Sequence, residues 1–226
     1  MIRKVLKKLS IINSQFLKNV QIHFSQEGED IILQRFFKYD YKGFYLDVGA
    51  HQPYRFSNTH FFYQKGWRGI NIEPNPENFA LFRKYRNHDI NVNVGVSKTE
   101  DTLDYFMLNE SALNTFSKKN LEYSTKLNQY KLIKTIQIPT LTLESILDKY
   151  LINSKKIDFM SVDVEGFDLD VLESNNWNKY RPTFVLVESH DLKLESLENS
   201  DIHKFMKSVN YKLVIKTFYT CFYQSE

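Results

Sequence analysis

Two acids stand at the ends of two short apolar runs. Asp47 follows Phe44-Tyr45-Leu46 and leads into Val48-Gly49-Ala50-His51, and Glu73 follows Gly69-Ile70-Asn71-Ile72 and leads into Pro74-Asn75-Pro76. In an open α/β sheet, ligands bind beyond the carboxyl ends of the strands. Asp47 and Glu73 lie one strand-helix-strand unit apart, so both are expected to face one cleft. Their chemistry suits a nucleoside. Glu73 can accept hydrogen bonds from ribose hydroxyls, as the corresponding acid does in dinucleotide sites. Asp47 can hold an ammonium, directly or through water. Ser57, Asn58 and Thr59 read as the start of a helix whose free N–H groups could seat a carboxylate. The turn carries only Gly49 of the three glycines in a dinucleotide fingerprint, and the sequence has no G-x-x-x-x-G-K loop. A cofactor without phosphates therefore fits best. S-adenosyl-L-methionine has the needed ribose, adenine, sulfonium and amino-acid tail.

A second set of polar residues closes later apolar runs. Asp163 and Glu165 follow Ile157–Val162, while Glu188 and His190 follow Phe184–Val187. Topology alone brings them to the same edge. Two chemistries compete for them. Asp163, Glu188 and His190 could hold Mg, Mn or Fe as a divalent metal, since oxygen donors with one imidazole suit such ions. Alternatively, His190 or Glu165 could act as a metal-free general base on an acceptor hydroxyl, with Asp163 beside it. Structural hydrogen bonds to loops are the plain alternative for Glu165 and Glu188. Gln26 and Asp30 either close over the cofactor or cap and dock their own helix. Ser97, after the third strand, is placed to line the adenine, and Asn114 and Thr115 to touch the acceptor. His60 is expected to pack, His203 to lie at the surface, and Trp67 to anchor the core.

Elements must position these groups. Apolar spacing predicts a helix from Gly28-Glu29-Asp30 through Phe37 with Ser25 as N-cap, then strands and helices in alternation. Strands are expected at Phe44–Val48, Gly69–Ile72, Ile90–Val96, Ile157–Val162 and Phe184–Val187. A final antiparallel hairpin is expected at Leu213–Phe218 and Cys221–Tyr223. Thr102–Met107 and Thr135–Ile138 read as further strands, the latter ended by Pro139. Such alternation means a mostly parallel sheet with helices on both faces. The polar stretch 107–135 reads as a lid or substrate loop.

Length and composition fit one domain. The chain has 226 residues, 42% hydrophobic and 25% charged, and so can bury a core. Its single cysteine, Cys221, excludes an internal disulfide framework and favours a reducing, cytoplasmic setting. The formal charge is +3. Residues 1–26 carry five basic residues and no acid, so the remainder is slightly acidic and no nucleic-acid surface is indicated. Residues 1–24 form a basic amphipathic extension whose shape permits contact with a membrane surface or a homodimer partner. They lack the apolar core of a signal peptide. No run approaches the roughly 18 apolar residues of a membrane span.

In order along the chain stand Ser25-Gln26-Glu27-Gly28-Glu29-Asp30, Asp47-Val48-Gly49-Ala50-His51, Ser57-Asn58-Thr59, Gly66-Trp67-Arg68-Gly69, Ile72-Glu73-Pro74-Asn75-Pro76 and Asp163-Val164-Glu165-Gly166. This series resembles the FkbM-type S-adenosylmethionine-dependent methyltransferases over residues 25–226. The resemblance implies the class I methyltransferase (Rossmann-like) fold, a three-layer αβα sandwich around a seven-stranded, mostly parallel sheet of order 3-2-1-4-5-7-6. It also implies O-methyl transfer, often onto sugars or natural products. The acceptor then expected is a nucleotide-activated sugar or a surface-glycan precursor such as capsule or lipopolysaccharide. His51 stands where the family pattern often has Asn. Two rivals remain: an NAD-dependent oxidoreductase, disfavoured by the missing glycines, and a noncatalytic binding protein on the same fold.

Overall fold

The computed structural model describes residues 20–151, 156–189 and 194–226. The basic helix expected near the start and His190 lie outside these. Near-continuous apolar character makes the central strands fully buried: β1 (Phe44–Val48), β7 (Phe159–Val162) and β8 (Phe184–Glu188). With β2 (Arg68–Ile72), β3 (Ile90–Val92), β9 (Tyr211–Lys216) and β10 (Thr220–Ser225), they form one seven-stranded sheet of order β3-β2-β1-β7-β8-β10-β9. Every neighbouring pair is parallel except those made by β10, which runs antiparallel to β8 and β9. Counting these seven strands in chain order gives 3-2-1-4-5-7-6, the order implied by the sequence motifs.

Alternation along each strand divides the core between the faces. Leu46, Val48, Ile70, Ile72, Val162 and Val187 pack on one face with α5 (Leu143–Tyr150), α6 (Asp168–Glu173) and α8 (Asp201–Ser208). Tyr45, Phe159, Phe184 and Phe222 pack on the other with Leu33 of α1 (Glu29–Leu33), Phe62 of α2 (His60–Gln64) and Trp67. Trp67 is a buried anchor whose indole N–H donates to the Tyr41 carbonyl at 2.8 Å. α3 (Pro76–Tyr85) has Pro at its first turn, and its N-cap Asn75 accepts from the Glu77 amide. α7 (Leu194–Leu197) precedes α8.

A second sheet departs from the expected pattern. The run 90–96 splits into β3 and β4 (Gly95–Val96), because the Asn93 amide donates to the Glu73 and Pro74 carbonyls and turns the chain out of the main sheet. β5 (Asp101–Leu108) and β6 (Leu132–Leu141) form a long antiparallel pair, and β4 adds parallel to β6. β6 passes through Pro139 instead of ending there. β4 joins only at Thr140 and Leu141, so the missing N–H breaks no bond to it. Between β5 and β6 lie a 3-10 turn (Ser111–Leu113) and α4 (Lys118–Lys126), so the polar stretch is largely built structure.

Two local expectations fail. Gly28, with φ 84°, is the N-cap of α1, while Ser25 instead donates to the Asp30 carboxylate at 2.8 Å. His203 is buried and shares a 3.4 Å contact with the Tyr223 hydroxyl, because α8 turns that side toward β10.

Candidate active site

The end of β1 is shaped by Gly49. Its φ is 76°, and a Cβ there would fall 1.9 Å from the Asp163 carbonyl oxygen, so only glycine lets the β1 and β7 loops meet. The Gly49 and Ala50 amides both donate to the Ile72 carbonyl. That places His51, also at positive φ, with its amide donating to Glu73 Oε2 at 2.7 Å. The Asn75 amide donates to Glu73 Oε1 at 2.8 Å. Each Glu73 oxygen thus holds one backbone donor and keeps a second lone pair. Burial pushes the Glu73 carboxyl up to about 8, against the lowering effect of those two amides.

Asp47 points to the opposite face from Leu46 and Val48, toward α2. Its Oδ2 accepts from Thr59 Oγ1 at 2.6 Å, and Arg86 Nη2 donates to the same Thr59 oxygen at 3.0 Å. Arg86 is 0% exposed; it also pairs with Asp89 at 3.0 Å and donates to the Tyr45 hydroxyl and the Pro53 carbonyl. Burial raises the Asp47 carboxyl to about 6, with Thr59 and Arg86 pulling it back.

Two adjoining hollows open beyond the strand ends. The first, of about 480 Å³, runs from Gly49, His51 and Glu73 past Ile72, Val94 and Val96 to Tyr105, Asn114 and Phe116. The second, of about 340 Å³, lies among Gln26, Phe56, Asn58, Glu188 and Tyr219. Asp163 lines both. Together they form one cleft with an apolar end and an acidic end.

At the acidic end, Asp163, Glu165 and Glu188 bring one carboxylate oxygen each to within 4.8 Å of one another. Asp163 is exposed to the cleft, with protein packed around its carboxyl. Desolvation raises its carboxyl well above the usual range, and Glu188, Glu165 and Asp168 push the same way. Asp168 holds the intervening turn, with Oδ1 accepting from the Val164 amide and Oδ2 from the Gly166 amide. Burial and then Glu188 raise its carboxyl to about 6.

The second sheet roofs the cleft. His51 Nε2 meets Ser111 Oγ at 2.9 Å, and Arg55 forks onto both oxygens of Glu110 at 2.8 and 2.9 Å. On the other side Thr115 donates to the Glu165 carbonyl at 2.7 Å. Burial and the nearby Arg55 lower His51 to about 4, so its ring is neutral at pH 7. The Arg55 fork lowers Glu110 to about 2.

The structure sorts the sequence expectations. Glu73, Gly49, His51, Asn58, Gln26, Asp163, Glu165 and Glu188 converge on the cleft. Asp47 sits behind it, reached through Thr59. Asp30 is fully buried, its carboxylate taken by the Phe24 and Ile31 amides and Ser25, a docking role. Ser57 Oγ accepts from the Thr59 and His60 amides, so those N–H groups are not open to a ligand. The Ser97 amide donates to the Leu141 carbonyl, and Val94, Gly95 and Val96 line the cleft in its place. Sequence reasoning missed Arg86, Asp168, the Arg55–Glu110 pair and Tyr105. Only Asp168 left a signal, as an Asp two residues after the Gly166 turn.

One observation bears on whether a nucleoside cofactor with an amino-acid tail fits. Asn58 Nδ2 donates to Ser161 Oγ, while its buried Oδ1 has no partner and needs a donor, which an ammonium would supply. With Glu73 and the apolar end, the residues fit the group.

The chain is similar to known methyltransferases. The family model described as methyltransferase FkbM domain matches residues 47–213. No curated protein matches. Among solved structures, methyltransferase FkbM from Methylobacillus flagellatus KT superposes with a TM-score of 0.52 at 13% identity, over 89% of this chain and 48% of that one. The chain therefore spans about half the length of that relative. A precorrin-6y C5,15-methyltransferase from Geobacter metallireducens GS-15 gives 0.45 at 9% identity, over 87% of each chain. A TehB-like SAM-dependent methyltransferase from Corynebacterium glutamicum ATCC 13032 Kitasato gives 0.45 at 7% identity, over 100% of this chain and 96% of that one. A match over most of the chain, on a sheet of this order and a cleft of this make, means that the chain belongs to the FkbM family of S-adenosylmethionine-dependent methyltransferases.

Proposed function

We propose that the chain transfers the methyl of S-adenosyl-L-methionine to a sugar hydroxyl, with residues 25–226 as the catalytic domain and 1–24 as an extension. The observation that carries this is the single cleft with a nucleoside-suited end at Glu73 and a carboxylate cluster at Asp163. The cofactor supplies an electrophilic methyl on a sulfonium. Glu73 keeps a free lone pair on each oxygen for the ribose hydroxyls. Asn58 Oδ1 accepts from the tail ammonium, and Asp47 stabilises that positive end from behind Thr59.

A sugar hydroxyl is a poor nucleophile until its proton is taken up. Asp163 is the base we assign, with Glu165 and Glu188 beside it. Its raised pKa brings it nearer to that of an alcohol and makes the proton transfer less uphill. Asp163 would take up the proton of the acceptor oxygen as that oxygen gains the methyl. A sugar in a glycan precursor or a nucleotide sugar offers such hydroxyls.

The spacing of three carboxylates within 4.8 Å favours a second reading, in which Asp163, Glu165 and Glu188 hold a divalent cation. Glu165 then takes the place first given to His190.

A methyl-transfer screen over nucleotide sugars and glycan precursors, with magnesium, manganese or a chelator, tests both readings. Methylation of at least one sugar that falls about 10²–10⁴-fold in Asp163→Asn is expected. Full turnover in Asp163→Asn contradicts the assigned base. Unchanged turnover under chelation sinks the cation reading.

A further inference from the structure

The residue left most conspicuously unsatisfied in the cleft is Asn114. It is only 7% exposed and lines the first hollow. Its Oδ1 accepts from the Leu108 amide at 2.8 Å, while its buried Nδ2 faces the Tyr105 hydroxyl without making a well-formed hydrogen bond to it. The amide cannot be turned around, because the flip would set two donors face to face at Leu108. So the group presented to the hollow is an N–H donor. Leaving such a donor dry and unpaired costs free energy, which a ligand recovers by supplying an acceptor.

The surroundings limit that acceptor. Ile72, Val94, Val96 and Phe116 form apolar walls, the setting of a flat ring. Glu73, at the same hollow, already holds the His51 and Asn75 amides and is taken by the ribose in that reading. Resting on the nucleoside reading above, we propose that Asn114 reads the purine. Its Nδ2–H donates to an unprotonated ring nitrogen, so the connection between β5 and β6 supplies a base-reading group. The exocyclic amine of adenine is a donor and is excluded from this contact, whereas its ring nitrogens N1, N3 and N7 are acceptors. The 109–115 loop is thereby part of the cofactor site and not only a cover for the acceptor.

The test is calorimetric titration of the full chain with S-adenosylhomocysteine and its 1-deaza, 3-deaza and 7-deaza analogues. Each analogue replaces one ring nitrogen with C–H. Asn114→Asp is titrated alongside, since it keeps an oxygen for the Leu108 amide and removes the donor; the charge it adds acts on all four ligands alike and cancels in their comparison. The expected result is that one analogue binds the native chain at least tenfold more weakly than S-adenosylhomocysteine. Asn114→Asp loses a similar factor for S-adenosylhomocysteine and nothing further for that analogue. Equal binding of all four ligands by the native chain overturns the proposal, whatever the variant's stability. So does an Asn114→Asp loss that is the same for all four, which would place the contact on the ribose. Failure of the native chain to bind S-adenosylhomocysteine at all overturns the functional reading itself.

Discussion

Glu73 shows how a buried acid at a cleft can weaken the fold that carries it. Its carboxyl titrates at about 8, raised by burial from an ordinary value of 4.5. The folded chain therefore holds this proton more tightly than the unfolded chain does. Stability from this group is full below about pH 4.5 and falls as pH rises through about 8. Over that window the loss is on the order of a few kcal/mol. Urea titrations of the native chain and Glu73→Gln should show the native chain losing ground to the variant between pH 5 and 8. A difference that stays flat with pH contradicts the assignment. Arg86 makes the opposite case. Fully buried against Asp89, it is the cation on which Tyr45, Thr59 and, through Thr59, Asp47 rely. Arg86→Met leaves a buried carboxylate unpaired and should cost about 3–5 kcal/mol in urea unfolding. Nothing in the sequence marked Arg86, because its partners come from four separate segments. Glu73 was legible, since an acid after an apolar run at a strand end has few other uses.

At the scale of elements, apolar runs and their spacing foretold the seven main strands. The hydrophobic pattern is enforced by burial on both faces, and a wrong register would be costly. The second sheet was less legible. Its long pair β5–β6 is half exposed, and α4 is polar on most positions, so periodicity is faint. The fit of this sheet over the cleft depends on contacts far apart in sequence: His51 with Ser111, Arg55 with Glu110, Thr115 with Glu165. The Arg55 and Glu110 side chains are 38% and 32% exposed, so their attraction is screened by water. Glu110→Gln should change global stability by less than about 1 kcal/mol. It should, however, speed hydrogen exchange of amides 109–115, the segment that carries Asn114. Unaltered exchange there would show that the ion pair does not secure the roof.

For the whole molecule, the sheet order puts the β1–β2 acids and the β7–β8 acids on one edge without any local instruction. That is why strand topology alone brings Asp163, Glu165 and Glu188 together. The segment before β1 and the β9–β10 turn close the same edge. Glu27 accepts from Thr217 and the Tyr219 amide, and Glu29 accepts from Thr220, so the segment before β1 is fastened to the β9–β10 turn beside the second hollow. The most direct check of the account is calorimetric titration of S-adenosylhomocysteine into the native chain and into Glu73→Ala. The account predicts one site per native chain and at least tenfold weaker binding by a folded Glu73→Ala. Binding of equal strength by the two, or none by the native chain, would contradict it.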